Sequence, residues 1–128
     1  MNVNAQISVG EWVDKLTILE IKRERIKDPA KLANVEIELA ALQSAYDAAI
    51  GASTALLALR VQLRDVNGRL WDIEDEIRDC EREQDFGPRF VALARAVYRT
   101  NDQRSQIKRE INLLLGSSLI EEKSYQPY

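Results

Sequence analysis

A chain of 128 residues, 45% apolar and 30% charged, is sized for one domain, and 18 basic against 21 acidic side chains (net −3) argue against nucleic acid or an anionic membrane as a general partner. The absence of histidine removes the commonest metal ligand and the commonest general base, and a lone Cys80 excludes an internal disulfide. No apolar run approaches the ~18 residues of a spanning helix, and Met1-Asn-Val-Asn-Ala-Gln lacks the basic start and apolar stretch of a leader, so the expected location is the cytoplasm, without membrane insertion.

Taken in order, the first helix is expected over 9–27. Ser8 can cap the amide of Glu11 while Glu11 reaches back, Ile7 can close over Trp12, and Val9, Trp12, Val13, Leu16 and Leu19 form one apolar face. Asp28-Pro29 ends it and starts the second helix, 29–50, whose stripe is Leu32, Val35, Leu39, Leu42, Tyr46, Ala49 and Ile50 and whose stop is Gly51. The third helix, 54–84, carries a coiled-coil-like seam in which Leu56, Leu59, Leu63, Val66, Leu70, Ile73, Ile77 and Cys80 alternate steps of three and four. That phase runs through Asn67-Gly68 without a slip, so the helix is expected to be continuous, with Gly68 on its outer face. After Asp85-Phe-Gly-Pro88 comes the fourth helix, 88–115, with a seam of Leu93, Val97, Thr100, Arg104, Ile107, Ile111 and Leu114, then Gly116 and a tail over 117–128. The tail's Leu119, Ile120, Tyr125 and Tyr128 are free to dock on the bundle or on a partner. The fold class is all-α: a single domain over 1–128, an antiparallel four-helix bundle with a long hairpin of the third and fourth helices.

The run Arg99 to Gln106 has no apolar residue over two turns of a helix that otherwise buries a face. Asn101, Arg104 and Lys108 fall on its inward side, and Glu20 and Arg23 on the inward side of the first helix. A buried arginine needs an acceptor, which makes Glu20 or Glu74 the expected partner of Arg104. This set reads as an internal salt-bridge network or as a pocket in which Arg104, Lys108 and Arg23 hold a small anion or a sugar; the two differ in whether cations outnumber the acids within reach. Rows of carboxylates at helical spacing (Asp72, Asp75, Glu76, Asp79, Glu83) resemble those of all-helical pyrophosphatases, but they face away from the seam, so no metal and no cofactor is expected. Arg89, Arg95 and Arg99 are placed to lie beside those acids across the hairpin.

The segments Ser8 to Ile26, Leu70 to Asp79 and Val97 to Ser117 resemble a family of small bacterial all-helical proteins, a domain of unknown function. The resemblance implies an accessory role beside glycosyltransferases of envelope polysaccharide synthesis. More loosely, Val13-Asp-Lys-Leu-Thr-Ile-Leu-Glu-Ile-Lys-Arg-Glu-Arg25 is similar to the opening helix of all-helical chorismate mutases, which implies the alternative of a small-anion enzyme with its site inside the bundle, Arg23 or Arg25 standing for the helix-one arginine. The main expectation is an oligomeric binding or accessory module without an assigned catalytic residue. The second hairpin is longer than the first by on the order of 10 Å at ~1.5 Å per residue. The unmatched tip carries Ile77, Cys80, Phe86, Phe90 and Leu93, which predicts a homodimer through Ile77, Phe86, Phe90 and Leu93.

Overall fold

The computed structural model describes residues 1–50 and 53–128, so the expected stop at Gly51 lies outside the described residues. Helix α1 (Val9–Arg25) starts where the Ser8 hydroxyl accepts from the Glu11 amide at 3.2 Å. The return arm of that capping box is not made, because the Glu11 carboxylate accepts from Lys108 instead, and Ile7 stays half exposed. Helix α2 (Pro29–Ala49) begins with Asp28 accepting from the amides of Ala30 and Lys31, with Pro29 at the first position, where a missing N–H costs nothing. Helix α3 (Thr54–Glu83) runs unbroken through Asn67-Gly68 and ends at Gln84 in the left-handed conformation. Gly68, expected on the outer face, is half-buried, and the exposed Arg25 guanidinium lies 4.0 Å from where its Cβ would be. Helix α4 (Pro88–Leu114) closes at Gly116, φ +63°, with the Ser117 amide donating back to the Asn112 carbonyl at 2.9 Å.

The four helices form the expected all-α bundle, and α1 is its centre, packed against each of the other three. Its register with α4 is antiparallel, Gly10 meeting Asn112 and Asp14 meeting Arg104; with α3 it is parallel, Val13 clustering near Leu56 while Arg25 reaches Asp72. One face of α1 buries Leu16 and Leu19 against Val35 and Leu39 of α2. The adjoining side buries Val13 against Leu56, Leu63 and Val66 of α3 and Ile107 and Ile111 of α4. Fully burying such a side chain contributes ~1.5–3 kcal/mol, so these two clusters are what hold the bundle. Helix α2 packs along α1 and touches α3 only near its start, where the Arg60 guanidinium lies 5.0 Å over the Tyr46 ring and bonds Gln43.

Because α1 ends opposite Asp72, the last turns of α3 and the first of α4 stand beyond it. In this tip Cys80 is fully buried, while Ile73, Ile77, Phe90, Leu93 and Val97 are half-buried and Phe86 is exposed. The Phe86 and Phe90 rings meet edge to face at 5.3 Å. The expected arginine ladder across the hairpin is nearly absent. Arg78 and Arg82 pair within α3, Arg89 approaches Glu83 only at 3.9 Å, and Arg99 lies near the Tyr128 ring. The tail does not cover the tip; it turns back along α4, where Glu121 meets Lys108, Glu122 meets Arg109 and Tyr128 meets Asp102.

Candidate functional site

The polar centre of the bundle is a carboxylate that the apolar stripe of α1 does not reveal. Asp14 is 1% exposed, on the side of α1 that faces α3 and α4. Burying an ionised carboxylate costs several kcal/mol unless donors surround it. Arg104 supplies three contacts, from Nε at 3.1 and 3.2 Å and from Nη2 at 2.6 Å, and the Asn67 amide donates at 2.8 Å. Asn67 also donates to the Thr17 hydroxyl at 2.9 Å, which in turn donates to the Asp14 backbone carbonyl. One turn along α4, the Lys108 ammonium stands 3.8 Å from Asp14 and donates to Glu11 at 2.6 Å and to Glu121 at 3.1 Å. A further turn on, the Asn112 side chain accepts from the Gly10 amide at 2.7 Å and so caps α1 from across the bundle. Among the described residues, no buried side-chain nitrogen or oxygen lacks a partner.

The charge states follow from these contacts. The bond to Asp14 holds the Arg104 guanidinium above its ordinary range against the opposing cost of burial. For Lys108, burial alone would lower the pKa; bonds to Glu11 and Glu121 and the field of Asp14 overturn that and raise it. The Glu121 carboxyl is held below its ordinary value chiefly by the bond from Lys108. Both cations are therefore permanently charged at neutral pH. Three carboxylates (Glu11, Asp14, Glu121) surround two cations, so the cations do not outnumber the acids within reach.

The structure brings Arg104, Lys108 and Asn101 together, the last accepting weakly from Arg104 Nη1 at 3.5 Å. It does not bring Glu20 or Arg23 to them. The Glu20 carboxylate is taken by Arg60 and Arg64 of α3, Glu74 pairs with Arg78 on its own helix, and Arg23 is exposed rather than inward. The partner of Arg104 is Asp14 because α1 lies between α3 and α4, which turns its 10, 14, 17 and 21 positions inward as well as its apolar stripe. That second row, Gly10, Asp14, Thr17 and Ile21 at steps of four, three and four, is the signal a single-stripe reading passes over. The outer edge of Arg104 and Asn101 line a groove of about 530 Å³ with Trp71, Glu74, Asp75 and Arg78, open where α1 ends. Among the described residues no group of three or more carboxylates or thiols converges as a metal centre would require.

These features define a helical bundle organised about an ion network in which both cations already meet protein carboxylates. The chain belongs to a family of unknown function (DUF6165), whose model matches residues 1–128, in keeping with the resemblance read from its three segments. No curated protein and no solved structure matches it.

Proposed function

We propose that this chain is a binding or accessory module that works as a homodimer in the cytoplasm, in the setting of envelope carbohydrate synthesis that the family resemblance implies. The observation that carries the dimer is the hairpin tip, which stands beyond α1 with Ile77, Phe90 and Leu93 half-covered and Phe86 exposed. Residues 72–99 hold eight acids against five arginines, leaving thirteen of each sign elsewhere, so the formal charge of −3 resides in this tip. Seven of the acids lie on α3 and Asp85 in the turn after it, whereas Arg95 and Arg99 of α4 have no carboxylate partner among the described residues. Two-fold pairing sets the α3 of one copy beside the α4 of the other and joins these charges around a core of phenylalanines.

The polar centre supports a module over a small-anion enzyme of chorismate-mutase kind. Arg104 and Lys108, the cations such a site would use, already meet protein carboxylates, and an incoming dicarboxylate would add charge to a cluster with an acid in excess. Light scattering at micromolar concentration is expected to report a dimer, and Phe90→Glu a monomer with unchanged helicity. A monomeric parent chain would overturn the dimer, and a thermal shift with a dicarboxylate probe lost in Arg104→Ala would restore the enzyme reading.

A further inference from the structure

The C-terminal segment is tied to α4 at two places. At one end Glu121 and Glu122 accept from Lys108 and Arg109; at the other the Tyr128 hydroxyl donates to Asp102, its ring meets Tyr98 edge to face at 5.2 Å, and Arg99 lies 6.0 Å from its face. Between these ties the segment arches over the helix and leaves a cavity of about 830 Å³. Three of the chain's four tyrosines, Tyr98, Tyr125 and Tyr128, line it, together with Asn101, Asp102 and Gln126. All three rings are exposed, Tyr98 to 44%, Tyr125 to 79% and Tyr128 to 75%, so they contribute little packing to the bundle; Lys123 lies 5.8 Å over Tyr125, as Arg99 lies over Tyr128, and much of each ring stays accessible.

We propose that this arch is a binding site for a neutral sugar residue. The reading rests on the binding-module function above and names its ligand class. A sugar ring is apolar on its C–H faces and polar around its rim. Aromatic faces suit the first, and amide and carboxylate groups set between them suit the second. Asp102 and Lys123 are the only charged side chains in the lining, one of each sign, so the cavity holds no net side-chain charge with which to select a phosphate or a carboxylate. The volume falls within the ~300–1,000 Å³ range of small-molecule sites. Asn101 also lines the groove beside Trp71 and Arg104, so it stands between the two cavities.

The test is saturation-transfer NMR on the full chain, with methyl glucoside and N-acetylglucosamine as neutral probes and glucuronic acid as the charged one. Ring protons of at least one neutral probe are expected to receive saturation and to be favoured over glucuronic acid. Tyr125→Ala and Tyr98→Ala should each weaken that binding about tenfold through loss of one stacked ring. No transfer to either neutral probe, or transfer unchanged in both variants, would overturn the assignment. Light scattering on the same samples separates the two readings, because a dimer that binds no sugar refutes the site alone and a monomer that binds it refutes the dimer alone.

Discussion

Removing Arg104 tests whether the buried network holds the fold together. In Arg104→Ala the Asp14 carboxylate, 1% exposed, keeps only the Asn67 amide at 2.8 Å and the Lys108 ammonium at 3.8 Å. Breaking a buried pair from one side costs ~3–5 kcal/mol. Two features reduce that figure: the Arg104 side chain is 29% exposed, so water can enter where it was, and Lys108 can move closer. A loss of ~3 kcal/mol is the expectation. With a urea dependence of roughly 1–3 kcal/mol per molar, the unfolding midpoint should fall by about 1–3 M. Asp14→Asn in the Arg104→Ala background removes the stranded charge while keeping the side-chain shape, and should recover about half of the loss. A single variant that loses less than about 1 kcal/mol, or a double variant no more stable than Arg104→Ala, would refute the claim that Arg104 holds the buried Asp14 side chain.

Gly10→Ala places a Cβ 2.4 Å from the Lys108 carbonyl oxygen and 2.9 Å from the Asn112 amide oxygen, so α1 and α4 must separate. The expected cost is ~1–3 kcal/mol despite alanine's better helix propensity, and an increase in stability on thermal unfolding would show that the helices are not this close. The tail should detach in acid. The Glu121 carboxyl is depressed in the folded state, so its contribution is present above its unfolded value of about 4.3 and is lost as pH falls through the lower folded value. Heteronuclear 15N NOEs over residues 119–128 should therefore fall below about pH 4 while those of α1 hold, and Glu121→Gln should show that behaviour already at neutral pH. Lys108 is raised, so its share is complete below about 10.4 and fades only as pH rises through the higher folded value, which leaves the acid effect to the carboxylate.

Helix order, the caps at Ser8 and Asp28, the unbroken third helix and the polar positions of the fourth were all legible in the sequence. Each rests on neighbours within a few turns. Periodicity also found Arg104 and Lys108, because a cation on an apolar seam has no local explanation. Asp14 stayed hidden because choosing a partner for Arg104 depends on which helix lies in the middle, and a bundle in which α2 packs chiefly on α1 looks, residue by residue, like one with four equal neighbours. Arg23 was misplaced for a nearer reason: seven residues after Leu16 it continues the α2-facing line, but it sits in the last turn of α1 beside the turn into α2 and stays exposed. The arch along α4 was out of reach for another reason: Ser117 to Tyr128 has no period, and side chains separated from their partners by up to 26 residues hold it.

The central position of α1 has a consequence for a chain made from its N-terminus. Of the four helices, the first to leave the ribosome is the one the other three must find, and it waits longest with its sides open. The face completed first, against α2, is apolar, with Leu16 and Leu19 meeting Val35 and Leu39. The side kept for α3 and α4 intersperses Val13 with Gly10, Asp14 and Thr17. Until residues 104–112 have been synthesised, that side offers water a hydrated carboxylate and a hydroxyl rather than a continuous apolar strip, so the nascent hairpin stays soluble without its partners. When α4 arrives, the same carboxylate becomes costly to leave unpaired, and only one register against Arg104 satisfies it. A single buried acid thus delays association early and dictates alignment late.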